Sequence, residues 1–272
     1  VIHTMGGEIS GSIDESVRHV VTKLSHLHFP ATKLSAHRIT LMGEPKENIH
    51  VVGCPRIDEV KAILDKKIDL NGDLMSRVGV GSKFDLLNDF LLVIFHPVTT
   101  EYGEGKKQVQ TIIDVIDRLG INTIMLWPNV DAGSDDIARG IRNFRENSRL
   151  KNFHLFKNLP MELFITLMNK CTCIVGNSSS AIREGAYIGV PAVNIGSRQQ
   201  GRERGRNVID VGYSENEISN AIEHSLKNGK YERDTLYGDG SAADRIIEIL
   251  RHQQINIQKR FVDHPEFHSP AN

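Results

Sequence analysis

Three cysteines in 272 residues are too few for a disulfide framework. Cys54, Cys171 and Cys173 lack zinc-ligand spacing and lie in or beside apolar runs, so they read as buried, reduced thiols. Charge of one sign is also missing. The net charge is −1, with acidic and basic residues interspersed, which offers nothing to nucleic acid or a membrane surface. No apolar run is long enough to span a bilayer, and no signal-peptide pattern is present. These absences predict a cytoplasmic protein, and 272 residues suffice for one large domain or two small ones. Met is absent at position 1: the chain opens inside what reads as a strand, Val1 to Met5, running into Gly6-Gly7. That start predicts an N-terminally truncated fragment.

What the chain does contain is a regular alternation of apolar, β-branched runs with helical spacing. Strands are predicted at 26–31, 49–53, 91–96, 122–127, 153–156, 171–175, 192–195 and 208–211. Helices are predicted at 14–24, 33–42, 57–65, 107–118, 135–146, 160–169, 179–188, 215–227 and 242–254. Such alternation argues for an α/β fold with parallel sheets covered on both faces. Residues 66–90 read as a connection between two α/β units.

Polar motifs fall directly after four of the strands. They are His96-Pro97-Val98-Thr99-Thr100, Asn129-Val130-Asp131-Ala132-Gly133-Ser134, Gly176-Asn177-Ser178-Ser179-Ser180 and Gly196-Ser197-Arg198-Gln199. In open parallel sheets ligands bind beyond the carboxyl ends of the strands, so the four motifs converge on one rim. The serine turn is the most informative of them. A small-residue corner between a strand and a helix leaves backbone N–H groups free at the positive end of the helix dipole, which suits a phosphate. An ordinary serine cap reads equally well from the turn alone. Glu184, one helical turn in, is placed to accept both hydroxyls of a ribose. Phosphate donors followed by a ribose acceptor indicate a nucleotide.

A second polar block lies near the start. Asp14 and Arg18 share one helix face, and Asp14 also reads as a helix cap. His26 and His28 alternate along a strand and so share a side. Two histidines without a third ligand do not make a metal site, and none is expected.

Together these motifs resemble the hydrolysing UDP-N-acetylglucosamine 2-epimerases, the bacterial sialic-acid type and the epimerase half of the animal bifunctional epimerase-kinase. The resemblance runs from Gly6-Gly7-Glu8 and Ile13-Asp14-Glu15-Ser16-Val17-Arg18-His19 through His26-Leu27-His28 and Gly53-Cys54-Pro55. It continues through the four strand-end motifs, Arg183-Glu184, Gly201-Arg202-Glu203 and Tyr237-Gly238-Asp239-Gly240. It implies two Rossmann-like domains of the GT-B type, the first incomplete. Residues 1–60 would be the end of the first domain, 61–84 a connection, 85–255 the nucleotide-binding domain and 256–272 a tail. The helix near Arg245 to Gln254 would return towards the first domain.

The resemblance implies conversion of UDP-N-acetylglucosamine and water to N-acetylmannosamine and UDP, for sialic-acid-type sugar synthesis. No metal or redox cofactor is implied. Asp14, Glu8, His26, His28 and Arg18 are the candidate catalytic residues. His96, Asn129, Ser178, Ser179, Glu184 and Arg198 are the candidate nucleotide-binding residues, with His96 offering either a donor or a positive charge. A dimer or tetramer of the chain is expected. One position departs from the pattern: Met5 stands where animal-type members carry a glutamate, and methionine transfers no proton. Glu8, His3 or a residue upstream of Val1 is left for that role. Arg139 and Arg142 match the region where the animal enzyme's end product inhibits, but Asp135 replaces a lysine there, so feedback inhibition is not expected. The competing readings are an epimerase acting on GDP-N-acetylglucosamine or on a modified sugar of a legionaminic-type pathway, a GT-B glycosyltransferase, and a non-catalytic nucleotide-binding module. Contacts near Phe156-Lys157 would choose the base.

Overall fold

In a computed structural model, the structure describes residues 1–66, 68, 70, 74, 79–147 and 152–263. Part of the connection expected at 61–84 and the end of the tail therefore lie outside the described residues.

The first unit contributes β1 (Ile2–Thr4), α1 (Asp14–Leu24), β2 (Leu27–Phe29) and α2 (Lys33–Leu41), and α3 (Pro55–Leu64) follows, its Ile57, Val60 and Ile63 packing in the core of the larger sheet. β1 and β2 form a two-stranded parallel sheet in which His3 pairs with His28. Thr32 caps α2 by accepting from the Ser35 backbone N–H at 3.1 Å. Pro55 starts α3, where its missing N–H costs nothing. The strand expected at 49–53 reduces to a single bridge between His28 and Ile49. His50 and Val52 do donate to His28 and Pro30, but Pro30 has no N–H to return, and Gly53 turns the chain at φ 91°.

The second unit contributes β3 (Val80–Gly81), β4 (Leu91–Ile94), α4 (Gly105–Leu119), β5 (Thr123–Leu126), α5 (Ser134–Asn147), β6 (Phe153–Phe156) and α6 (Met161–Lys170). After these come β7 (Cys173–Gly176), α7 (Ser179–Ile188), β8 (Ala192–Ile195), β9 (Val208–Val211), α8 (Glu215–Asn228) and α9 (Ala242–His252). One sheet runs β3-β6-β5-β4-β7-β8-β9, parallel except for β3. The parallel strands thus follow the doubly wound Rossmann order, and the order reverses between β4 and β7. β3, two residues ending in a glycine, carries no pattern that a sequence reading could detect.

Alternate residues of β4 serve opposite cores. Leu92 and Ile94 pack with α3, α6 and α7, while Leu91 and Val93 pack with α4, α5 and α8. This two-sided burial explains why the strands read as unbroken apolar runs. α9 does return to the first unit: its Ile246 and Ile249 pack on Leu27, Phe29 and Val52. Asp58 on α3 holds the start of α9, accepting from the Ala242 and Ala243 N–H groups at 2.9 and 2.7 Å. Among the described residues no helix is long and apolar enough to cross a membrane.

Candidate active site

The reversal between β4 and β7 is clasped by Asn177, which is fully buried. Its amide exchanges two hydrogen bonds of 2.8 Å with the backbone of His96, and its own N–H donates to Ile94. Its carbonyl takes Gln199 Nε2 at 2.8 Å and Arg198 Nη1 at 3.3 Å. One asparagine therefore fixes the ends of β4 and β7 and the loop after β8. Gly176 permits this close approach. Its φ is 138°, and a Cβ there would lie 2.1 Å from the Ile94 carbonyl oxygen.

Around the clasp opens a cavity of about 850 Å³ lined by His96, Trp127, Asn129, Lys157, Ser178 and Ser180, among others. Ser178 caps α7, its hydroxyl accepting from the Ser180 N–H at 3.3 Å, so cap and cavity wall coincide. Ser179 Oγ instead accepts from Arg183 at 3.2 Å, and Ser180, which sequence reasoning passed over, stands on the cavity wall. Glu184 is buried with Oε2 unpartnered, 3.8 Å from Arg183 Nε.

His96 Nδ1 accepts the Asn129 backbone N–H at 3.3 Å, which leaves the ring proton on Nε2. Burial, followed by the charge of Arg198, pushes the His96 pKa down to about 4. The ring is therefore neutral and carries its proton on Nε2. Arg198 spans Asn177 and Asp131, and burial lowers its pKa from the ordinary arginine value.

The first unit faces this rim through the loop at 6–12 and the start of α1. The Gly11 N–H donates to the Arg198 carbonyl, and Arg18 Nη1 donates to the Glu8 carbonyl at 3.1 Å. The Glu8 carboxylate pairs with Arg202 and keeps Oε1 unpartnered. Asp14 is not a cap: it is the first residue of α1, its carboxylate takes Ser12 Oγ, and its charge is felt by Arg18 and Arg198. Asp14, Arg18 and Glu8 are thus brought together with Arg198 and Arg202. His26 and His28 are held elsewhere. His26 contacts the Ile257 carbonyl, while His28 is buried with Nε2 3.1 Å from Glu44. Met5 precedes the glycine pair in the left-handed region at φ 64° and packs on the core that includes Cys54 and Tyr237. A non-glycine residue held there is strained, which is common at functional sites.

Sequence reasoning missed Asn177 as the clasp and Glu101 as a second one. Glu101 accepts from Gln108 at 2.6 Å and Tyr213 at 2.9 Å, and Ser197 donates to its other oxygen. An amide side chain between the apolar strand and the serine run was the available signal for Asn177. Glu101 gave none, because Ser197 and Tyr213 lie 96 and 112 positions away in sequence.

The doubly wound unit and the polar loop that faces it define an α/β protein of the GT-B type. The description UDP-N-acetylglucosamine 2-epimerase fits residues 1–251, and the chain belongs to that family. A UDP-N-acetylglucosamine 2-epimerase of Neisseria meningitidis is 31% identical over 97% of this chain and 68% of its own length. A UDP-N,N'-diacetylbacillosamine 2-epimerase (hydrolyzing) of Legionella pneumophila is 36% identical over 94% of this chain and 66% of its own. The chain thus spans about two thirds of these relatives. In fold it is similar to the crystal structure of the Neisseria meningitidis UDP-GlcNAc 2-epimerase bound to UDP-GlcNAc. The TM-score is 0.75 at 21% identity, covering 93% of this chain and 70% of that one. The Methanocaldococcus jannaschii UDP-GlcNAc 2-epimerase, solved with UDP-GlcNAc and UDP, gives 0.72 at 18% identity, covering 93% and 69%.

Proposed function

We propose that this chain carries the catalytic cleft of a hydrolysing epimerase that converts UDP-N-acetylglucosamine and water to N-acetylmannosamine and UDP. The observation that carries the reading is the His96–Asn177–Ser178 clasp at the sheet's reversal, opposed across the cleft by Asp14, Arg18 and Glu8. A base takes the C2 proton while the C1–O bond to UDP breaks, leaving a glycal. Water then adds its oxygen to C1, and a proton returns to the opposite face of C2. Charge builds on the departing diphosphate, so fixed donors aimed there act most strongly in the transition state. His96 Nε2–H, the N-terminus of α7 and Arg198 supply those donors. Ser178 and Asn129 line the phosphate end, Ser179 orients Arg183, and Glu184 takes the ribose hydroxyls. Asp14, whose charge is felt by Arg198 and Arg18, is the proton carrier, and Arg18 holds the loop that bears Glu8. His26 and His28 support β2 rather than the reacting carbons.

The same reading makes the protein a cytoplasmic, self-associating enzyme of sialic-acid-type synthesis, with its unit boundary inside residues 61–84. A second reading has one observation in its favour: the 36% identity to the diacetylbacillosamine epimerase points to a modified sugar. Proton NMR in deuterated water decides. N-acetylmannosamine deuterated at C2, released with UDP, is the expected product. Bound UDP with an unchanged sugar would defeat the assignment of substrate.

A further inference from the structure

A separate cavity of about 520 Å³ lies where the two units meet, and the mechanism above does not use it. Ser10, Ser12, Glu15, Ser16 and His19 line it from the first unit, and Thr99 and Thr100 from the second. Three of its lining groups carry a buried polar atom without a partner: Ser10 Oγ, His19 Nδ1 and Thr99 Oγ1. Ser10 is only 8% exposed, so bulk water does not reach its hydroxyl freely. Orphaned polar atoms of this kind are uncommon and call for a ligand or a bound solvent molecule.

The lining defines the chemistry of that ligand. No lysine or arginine is among the lining residues, and the one fixed charge is the Glu15 carboxylate. A phosphate would find repulsion there and no cation. Hydroxyl groups, which both donate and accept, match serine and threonine hydroxyls, a carboxylate and an imidazole on every side. Glu15 is already oriented, its Oε2 taking the Ser10 N–H at 2.8 Å and its Oε1 lying 3.6 Å from His19 Nε2. The cavity also adjoins the reacting end of the cleft. Ser12 Oγ donates to Asp14, the Gly11 N–H donates to the Arg198 carbonyl, and Thr99 follows His96 by one short loop.

We infer that this cavity receives the hydroxyl-bearing edge of the substrate's hexosamine, and that Ser10, His19 and Thr99 decide which sugar is accepted. The inference rests on the nucleotide-sugar reading and narrows it. A hydroxyl at C4 and a hydroxymethyl at C6 satisfy the three orphaned atoms. A methyl at C6 offers no hydrogen bond, so a sugar with an acetamido group at C4 and a methyl at C6 leaves at least one of these atoms unpaired and also brings a bulkier group at C4. A site built to bond a hydroxyl rejects the analogue lacking it far more strongly than an apolar pocket rejects a missing methylene.

The test compares UDP-N-acetylglucosamine with UDP-2,4-diacetamido-2,4,6-trideoxyglucose on the full-length protein, and measures UDP affinity alongside. Wild type is expected to favour the first by about 100-fold or more in kcat/KM. Ser10→Ala and Thr99→Val, each close to isosteric, are expected to lower kcat/KM for UDP-N-acetylglucosamine about tenfold while leaving UDP affinity unchanged. The trideoxy sugar should lose little. Equal use of the two sugars, preference for the trideoxy sugar, or equal losses on both in the variants would overturn the subsite while leaving the epimerase reading intact. A protein that neither binds UDP nor turns over either sugar overturns the reading itself, and the subsite with it.

Discussion

Arg202 of the second unit and Glu8 of the first form an ion pair in which the side chains are only 6% and 4% exposed. Arg202 is held from its own side as well, its Nε donating to Gln199 Oε1 at 2.8 Å. Removing one charge from such a pair strands the other in a poorly solvated place. Arg202→Met is therefore expected to cost about 3–5 kcal/mol, whereas Glu8→Leu with Arg202→Met should recover much of that loss. Urea unfolding of wild type and the two variants measures it. A single variant within about 1 kcal/mol of wild type would mean that water reaches the pair. The pairing also bears on chemistry, because one oxygen of Glu8 is occupied by Arg202 and only Oε1 remains to exchange a proton.

Glu101 ties three strand ends that the backbone leaves independent. Ser197 and Tyr213, from the loops after β8 and β9, meet Gln108 on one carboxylate beyond β4. Burial first, then the Glu101 bond and charge, push the Tyr213 pKa above its ordinary value, so its hydroxyl keeps the proton it donates. Gly196 must be small here, since the Tyr213 hydroxyl lies 2.2 Å from where its Cβ would be. Glu101→Ala is expected to free the Ser197-Arg198 loop and weaken UDP binding roughly tenfold, with Glu101→Gln restoring part of it. Titration calorimetry gives the affinities. Identical affinities in wild type and Glu101→Ala would show that Arg198 holds its place without the clasp.

Much of this was legible beforehand, for identifiable reasons. The parallel strands are buried on both faces, so β4 to β8 announced themselves as apolar runs. The four polar motifs are local in sequence and do gather on one rim. What stayed hidden depends on contacts between distant segments. The Glu8–Arg202 and Glu101–Tyr213 pairs join residues 194 and 112 positions apart. His26 and His28 followed a sound periodicity argument, but periodicity says only that they share a side. The tail settles what that side meets, through Ile257 and Lys259.

His28 shows what that surrounding does. It is fully buried beside Glu44, which also takes Lys23 and Lys259. For Glu44, burial works to raise the pKa, but the bonds from the two lysines outweigh it and the result lies below the ordinary value. Since the lysines already answer that carboxylate, His28 need not be charged. Burial dominates, opposed by Glu44 and reinforced by Lys259 and His3, and brings its pKa down to about 4. The unfolded chain takes up this proton near pH 6.5 and the folded chain does not until about pH 4. Stability is therefore expected to fall as pH drops through that window, by at most roughly 3 kcal/mol from this group. His28→Gln keeps a donor for Glu44 and should flatten the slope of unfolding free energy between pH 6.5 and 4.5. Equal slopes in both proteins would mean that folded His28 accepts the proton after all.

His96 poses the corresponding question for binding. With Nδ1 occupied by the Asn129 N–H and the pKa near 4, the ring would, on the proposed function, meet a diphosphate as a neutral donor through Nε2. A neutral donor contributes a hydrogen bond and no ion pair, so His96→Ala is expected to weaken UDP binding about tenfold. UDP titrates near pH 6 on its own account, so the informative quantity is the ratio of dissociation constants, variant over wild type. That ratio should stay flat between about pH 5.5 and 8, because neither protein changes charge at this position. Should UDP draw a proton onto the ring, wild type alone would gain affinity as the pH falls, and the ratio would climb below neutrality. Leaving-group stabilisation would then rest on a cation at His96, and Arg198 would no longer be the principal positive charge facing the diphosphate.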